Sequence, residues 1–426
     1  MELYELFKKY PRISTDSRKI VPDSLFFALH GENFDGNRYA AAALETGAAA
    51  AVVDDPRIAE EAPAATRDRY VTVADTLAAL QELAARHRRE LGIPVLAITG
   101  SNGKTTTKEL VGRTLARRYR TAMTQGNLNN HIGVPLTLLA MNDEVEFGIV
   151  EMGASHCGEI ARLCEIAQPD FGLITNIGKA HLEGFGGEEG VMRGKGELLD
   201  YLCGHGGEAF YLSESDALRR MVEARPDLRT VPYSTASLET TGTGEFLEAL
   251  WQGRPVRTRL VGAYNLANVA AAIAVGTRFG IEAGRIAEAI ESYVPDNNRS
   301  QKKETAFNTL ILDAYNANPS SMRAALENFV REPSARKRAV ILGDMGELGD
   351  YAEAEHRTVV ERLLASGIDE VYLVGPNFSK AGADRFATFP DIDTLCAYLD
   401  RHPIRERLIL VKGSRSNRLE KAEGKL

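Results

Sequence analysis

The residues best suited to chemistry lie in one short run, Gly100-Ser101-Asn102-Gly103-Lys104-Thr105-Thr106. Its glycines let backbone N–H groups turn inward, and a helix beginning at its end presents a positive pole. Lys104 can then reach the β- and γ-phosphates of a nucleotide, and the Thr105 hydroxyl can hold Mg²⁺. The general phosphate loop reads G-x-x-x-x-G-K-[S/T], whereas only Ser101 and Asn102 separate the glycines here. Glu151 ends an apolar run, where phosphate-loop folds place a Mg²⁺ partner, with a solvated strand-end glutamate as the bland alternative. His181 can ligate a metal through neutral imidazole or act as a structural hydrogen-bonder. Lys195 reads, from its neighbours alone, as a solvated helix lysine. Asn265 and Asn268 are three apart and share a helix face, where they can read a ribose or base or cap the helix. Thr15, Ser17 and Arg18, around Asp16, can coordinate a phosphate or a uracil ring or simply form a turn. Asn127 belongs to an amide-rich turn, Gly126-Asn127-Leu128-Asn129-Asn130, that can reach a substrate. No Ser-His-Asp or Cys-His arrangement demands a covalent role.

These groups need elements to position them. Residues 93–99 are apolar and β-branched, and Leu110, Val111 and Leu115 carry a helical period, so the loop joins a strand to a helix. Further strands at 147–151 and 171–177, alternating with helices, predict an α/β fold with a doubly wound, mostly parallel sheet and ligands at its strand C-terminal ends. Before it, a strand at 25–29, a turn at Gly31, a helix at 37–46 closed by Gly47 and a strand at 48–53 predict a small α/β unit. An amphipathic helix at 76–89 should lead into a linker, Glu90-Leu91-Gly92. After a polar turn at 296–300, strands at 309–313, 339–344, 371–375 and 408–413 predict a Rossmann-like third domain that lacks Gly-x-Gly-x-x-Gly. The expected domains are 1–90, 91–297 and 298–426.

A chain of 426 residues fits about two to four domains. With 51 basic and 59 acidic residues, and no basic run interleaved with aromatics, nucleic-acid binding is disfavoured. The start is acidic where a signal peptide is basic, and no apolar run approaches ~18 residues, so the expectation is a soluble, cytoplasmic protein without membrane insertion. Cys157, Cys164, Cys203 and Cys396 show no Cys-x-x-Cys spacing and read as buried thiols.

Seven strings, taken in order, resemble the Mur ligase family over essentially the whole chain. They are Thr15-Asp16-Ser17-Arg18, the short phosphate loop, Gly126 to Asn130, His181-Leu182-Glu183-Gly184-Phe185, Asp313-Ala314-Tyr315-Asn316-Ala317-Asn318-Pro319, Leu342-Gly343-Asp344-Met345 and Lys412-Gly413-Ser414-Arg415. The family's loop is G-x-x-G-K-[T/S]-T, which accounts for the short glycine spacing. The resemblance implies an N-terminal domain for a UDP-linked substrate, a central ATPase and a C-terminal domain that brings the incoming amine. Within the family it is to the ligation of D-alanyl-D-alanine to UDP-N-acetylmuramoyl-tripeptide by a monomer, through an acyl phosphate that completes the pentapeptide precursor of peptidoglycan.

By that resemblance Thr105 and Glu151 hold one Mg²⁺. Lys195, in Lys195-Gly196-Glu197, becomes an N-carbamate and helps His181 hold a second. Asn265, Asn268, Arg299 and Asp313 surround ATP, Asn316 and Arg415 contact the incoming amine, and Thr15 to Arg18 with Asn127 meet the UDP substrate. Tyr264-Asn265 replaces the family's His-Asn pair, and Arg299 follows an asparagine where relatives commonly carry glycine. The Asp-Asn-Pro-Arg signature of the ligase that adds the third amino acid is absent, with Gly343-Asp344-Met345-Gly346-Glu347-Leu348-Gly349 in its place. A folate polyglutamate ligase is a more distant alternative. So is a non-catalytic nucleotide-binding regulator, for which Lys104, Glu151, His181 and Lys195 together would have no purpose.

Overall fold

The strand Val95–Thr99 is buried along its whole length, and its alternating side chains feed two cores. Leu96 and Ile98 pack with Leu110, Val111 and Leu115 of the following helix, Lys104–Leu115, and with Val269 and Ile273 of Leu266–Arg278. Val95 and Ala97 face the opposite core, with Leu80, Leu83, Leu138, Ile160 and Leu163. Each fully buried Val, Leu or Ile side chain among them contributes roughly 1.5–3 kcal/mol. A computed structural model describes residues 2–32, 34–241, 246–295, 299, 301–332, 334–382 and 384–426.

Val95–Thr99 lies inside a six-stranded sheet, in the order Arg229–Tyr233, Glu208–Leu212, Phe171–Ile174, Val95–Thr99, Phe147–Glu151, Thr121–Met123. All five pairings are parallel. The chain leaves Val95–Thr99 for one side of the sheet and returns to its other side at Phe171–Ile174. The phosphate loop therefore opens at the point where strand order reverses, the crevice in which such sheets bind ligands. A three-stranded antiparallel sheet, Leu238–Thr240, Glu248–Trp251 and Arg254–Arg257, was not expected from the sequence. It buries Trp251 and Val256 against the Leu266–Arg278 side of the core.

The N-terminal unit is a four-stranded parallel sheet, Ile13–Ser14, Leu25–Phe27, Ala50–Val53 and Tyr70–Thr72. Its junction with the central sheet corrects the linker expected at Glu90-Leu91-Gly92. The helix Thr76–Leu91 runs through those residues and ends on Gly92 at φ 60°. Arg88, a buried residue in the last turn of this helix, donates to the carbonyls of Ala167 (2.9 Å) and Gln168 (3.0 Å) and pairs with Asp170 (2.8 Å), whose carboxylate also accepts from Val95 N–H (2.8 Å). A polar pattern that reads as a solvated link is in fact a satisfied polar joint.

Among the described residues the C-terminal sheet has six strands rather than four. Its order is Gln301–Glu304, Thr309–Asp313, Arg407–Lys412, Lys337–Gly343, Glu370–Val374, Ala387–Phe389, with the first antiparallel and the rest parallel. Both additional strands lie at sheet edges, where short or polar segments give little periodic signal. The boundary expected between 297 and 298 lies outside the described residues. Of the four cysteines only Cys164 is buried; Cys157 is exposed and Cys203 and Cys396 are intermediate, which corrects the expectation of buried thiols.

Candidate active site

The phosphate loop is built by close approach. Gly100 has φ 141° and a Cβ there would sit 2.0 Å from Thr175 Oγ1; Gly103 has φ 77° and a Cβ there would sit 2.7 Å from Asn268 Oδ1. No side chain fits either position. The strand end at Thr175 and Asn176 then fastens the loop. Ser101 N–H donates to Asn176 O (3.0 Å), Asn102 N–H to Asn176 Oδ1 (3.0 Å), and Asn102 O accepts from Thr175 Oγ1 (2.6 Å) and Asn176 Nδ2 (3.0 Å).

Lys104 curls back over the loop, its Nζ donating to Gly100 O (2.7 Å), and burial pushes its ammonium below the ordinary lysine range. Thr105 Oγ1 donates to Glu151 Oε2 (2.8 Å), and Glu151 Oε1 accepts from Asn129 Nδ2 (2.8 Å). Glu151 is buried, so the solvated alternative is wrong for it. A hydroxyl beside a carboxylate at the mouth of a phosphate loop is a hard-oxygen donor pair of the kind Mg²⁺ takes, and on donor chemistry the residues present fit that ion. Among the described residues, no three His, Cys, Asp or Glu side chains converge as a preformed cage.

Lys195 is also buried, at 2 % exposure, which corrects its reading as a solvated lysine. Its Nζ donates to Ala154 O (3.2 Å) and lies 5.1 Å from the centre of the Phe185 ring. Among the described residues it has no ion pair. Burial, with the Lys104 ammonium second, pushes it down to about 7. His181 has a left-handed backbone, φ 53°, and its Nδ1 meets the carboxylate of Glu347 from the C-terminal unit. That imidazole holds the Glu347 carboxyl below the usual carboxylate range.

A cleft of about 660 Å³ brings most of the expected residues together. Ser101 to Thr106, Asn127, Glu151 and His181 line its central side, and Asn265 and Asn268 lie above the loop. Asn268 Oδ1 accepts from Thr107 Oγ1 (3.1 Å), its Nδ2 donates to Asn265 Oδ1 (2.8 Å), and Asn265 makes no side-chain cap bond. Arg299, Asp313 and Asn316 line the C-terminal side. Arg299 stacks on Tyr315 with its guanidinium 3.8 Å from the ring centre, and Asp313 pairs with the buried Lys412 (2.6 Å). Gly100 lies beneath the loop and Lys195 behind the wall that Ala154 forms; neither lines the cleft. Arg415 stands outside it, 5.7 Å from the Tyr315 ring centre. Thr15, Asp16, Ser17 and Arg18 are not part of it either. In their turn, Arg18 donates twice to Asp16 (2.9 Å each) and holds that carboxyl down to about 2.

Several groups in or beside the cleft had no sequence signal strong enough to select them. Asn129, rather than its neighbour Asn127, touches Glu151. Asn318 caps the helix Pro319–Arg331 and donates from Nδ2 to Asn102 Oδ1 (2.8 Å), while Ser320 Oγ accepts from Lys179 N–H (2.9 Å). The C-terminal unit thus docks directly on the phosphate loop.

Three family models match successive parts of the chain: "Mur ligase family, catalytic domain" over residues 9–88, "Mur ligase middle domain" over 98–276 and "Mur ligase, glutamate ligase domain" over 298–415. The chain belongs to the Mur ligase family. A Mur ligase of Bacillus subtilis, UDP-N-acetylmuramoyl-tripeptide--D-alanyl-D-alanine ligase, is 34% identical over 421 residues, 96% of this chain and 91% of that protein. The crystal structure of MurF from Acinetobacter baumannii superimposes with a TM-score of 0.85 at 32% identity, covering 97% of this chain and 92% of that one. MurF from Thermotoga maritima, solved in complex with ADP, gives 0.84 at 26% identity, covering 100% and 98%. A three-domain Mur ligase architecture, with a phosphate-loop sheet at its centre, is therefore the fold of this chain.

Proposed function

We propose that this Mur ligase uses ATP to join D-alanyl-D-alanine to UDP-N-acetylmuramoyl-tripeptide, giving ADP, phosphate and the pentapeptide precursor of peptidoglycan. The observation that carries this reading is a phosphate loop closed over by a C-terminal unit, in a chain whose relatives across almost its full length are named for that ligation. Residues 1–90 take the UDP end of the substrate, with Thr15, Asp16, Ser17 and Arg18 as contacts. Residues 91–297 take ATP, and 298–426 bring the dipeptide, with Asn316 and Arg415 toward it and Asn127 toward the tripeptide.

ATP lies along Gly100 to Thr106, with Asn265, Asn268, Arg299 and Asp313 about its nucleoside. The terminal carboxylate of the tripeptide attacks the γ-phosphorus, the bond to the β–γ bridging oxygen breaks, and ADP leaves. Lys104 and the loop N–H groups neutralise the charge that develops on the transferred phosphoryl oxygens. The neutral amine of the dipeptide then attacks the acyl phosphate carbonyl, loses a proton, and phosphate departs with the C–O bonding pair. No protein nucleophile is required.

Thr105 and Glu151 would hold one Mg²⁺, and His181 with Lys195 a second; the ions supply charge stabilisation on the phosphate oxygens. Lys195 suits conversion to a carbamate. A buried ammonium with no carboxylate partner is costly, and its neutral amine can add to CO₂ with release of a proton, leaving an anionic oxygen ligand on the same stem. Among the described residues no helix is long and apolar enough to cross a membrane. A cytoplasmic location follows from the substrates proposed, ATP and a UDP-linked precursor.

The deciding experiment is phosphate release by the purified protein. The ligase reading expects release only when both UDP-N-acetylmuramoyl-tripeptide and D-alanyl-D-alanine are present. Release indifferent to either one, or none at all, favours a nucleotide-binding regulator. Release with a free amino acid in place of the dipeptide favours addition of the third residue instead.

A further inference from the structure

Tyr315 lines the cleft from the C-terminal unit, and two guanidiniums converge on its ring, Arg299 at 3.8 Å from the ring centre and Arg415 at 5.7 Å. Both lie within the reach of a cation–π contact, about 6 Å. The ring is a fixed platform. It follows the strand Thr309–Asp313, and the buried Lys412 clamps the turn on either side of it, pairing with Asp313 (2.6 Å) and donating to Asn316 O (3.3 Å). Beyond the same lysine, Ser414 Oγ donates to Ala317 O (3.4 Å).

A ring does for an arginine what a carboxylate does not. Fixing so long a side chain loses rotamer freedom, and an aromatic face offsets part of that loss while leaving the charge and the N–H donors free for a ligand. A carboxylate would hold the guanidinium by neutralising it. The Arg299 charge is felt in the phosphate loop: the Lys104 ammonium, held low chiefly by its burial, is lowered further by Arg299. The dipeptide reacts through its amine, so its carboxylate passes through the reaction unchanged and must be held, and the paired N–H donors of a guanidinium match a carboxylate.

We infer that Tyr315 is a positioning residue whose one ring aims Arg299 at the anionic nucleotide and Arg415 at the carboxylate of the incoming dipeptide. This inference rests on the ligase reading, which supplies both ligands. Because the platform is shared, one substitution loosens ATP and dipeptide together and leaves the UDP-linked substrate as it was.

The test uses the full chain. Tyr315→Leu and Tyr315→Gln both remove the ring at a half-buried position, and folding is checked by circular dichroism. Affinity for a non-hydrolysable ATP analogue, read by titration calorimetry, should fall about 2- to 30-fold, and the KM for D-alanyl-D-alanine should rise about 2- to 5-fold, with the KM for UDP-N-acetylmuramoyl-tripeptide unchanged. Tyr315→Phe keeps the ring and should restore both values. In an Arg299→Ala background, Tyr315→Leu should no longer alter ATP-analogue affinity, and in an Arg415→Ala background it should no longer alter the KM for the dipeptide. The inference is overturned by wild-type affinities without the ring, by Tyr315→Phe losing as much as Tyr315→Leu, by full additivity with either arginine substitution, or by an equal rise in the KM for the UDP-linked substrate. Failure of the ligase reading would show separately, as phosphate release that ignores a substrate, and the ATP-analogue measurements need no turnover.

Discussion

Replacing Lys195 with methionine should stabilise the protein while destroying its activity. Lys195 is buried, its Nζ has one carbonyl partner, and burial with the nearby Lys104 charge lowers it from 10.5 to about 7. Below about pH 7 the folded and unfolded chains both hold this proton, and the folded state bears the whole cost of a buried ammonium. Each tenfold in proton affinity is 1.36 kcal/mol, so that cost is on the order of 5 kcal/mol. Between about 7 and 10.5 the unfolded chain binds more protons than the folded one, so stability rises with pH; above 10.5 the cost is gone. Between pH 6 and 9 wild type should therefore recover roughly 2–3 kcal/mol that Lys195→Met never lost. For a domain of this size that is a difference of roughly 5–10 °C in the shift of melting temperature. The assay is calorimetry on both proteins across that pH range, in EDTA and CO₂-free buffer so that neither metal nor carbamate removes the free ammonium. Titrations common to both proteins cancel in the comparison. Melting temperatures that run parallel with pH would refute the reasoning. With bicarbonate at pH 8, wild type should gain stability and Lys195→Met should not.

Two substitutions probe the nucleotide end of the cleft. Gly103→Ala forces a left-handed alanine and a Cβ 2.7 Å from Asn268 Oδ1, and should raise the KM for ATP at least ~10-fold, since ~1.4 kcal/mol is a factor of ten; an unchanged KM in steady-state kinetics would count against the loop geometry. Asn318→Ala removes a helix cap and the contact to Asn102, and should cost ~1 kcal/mol of stability and weaken ATP binding together; loss of stability alone in paired calorimetry and titration would mean the Asn102 contact carries no coupling.

Much of the site was legible before any fold was known. The run at 93–107 determines strand, turn and helix because β-branched residues, glycines and a helical period each restrict backbone conformation locally, and the strands Phe147–Glu151 and Thr309–Asp313 fall where the pattern places them. Short edge strands such as Gln301–Glu304 and Ala387–Phe389 escaped because their few residues are polar or paired on one side only.

What tertiary structure alone decided is which side chains meet. Lys195 looks solvated in sequence and is buried because Phe185 and Ala154 close over it. Asn129 rather than Asn127 reaches Glu151, Arg88 turns an apparent linker into a joint, Asn318 lands on Asn102, and Glu347 lands on His181. Backbone preference is written in neighbouring residues, and so a single sequence displays it. A contact between two distant side chains is set by how sheets and helices pack on one another, and no spacing along the chain encodes it.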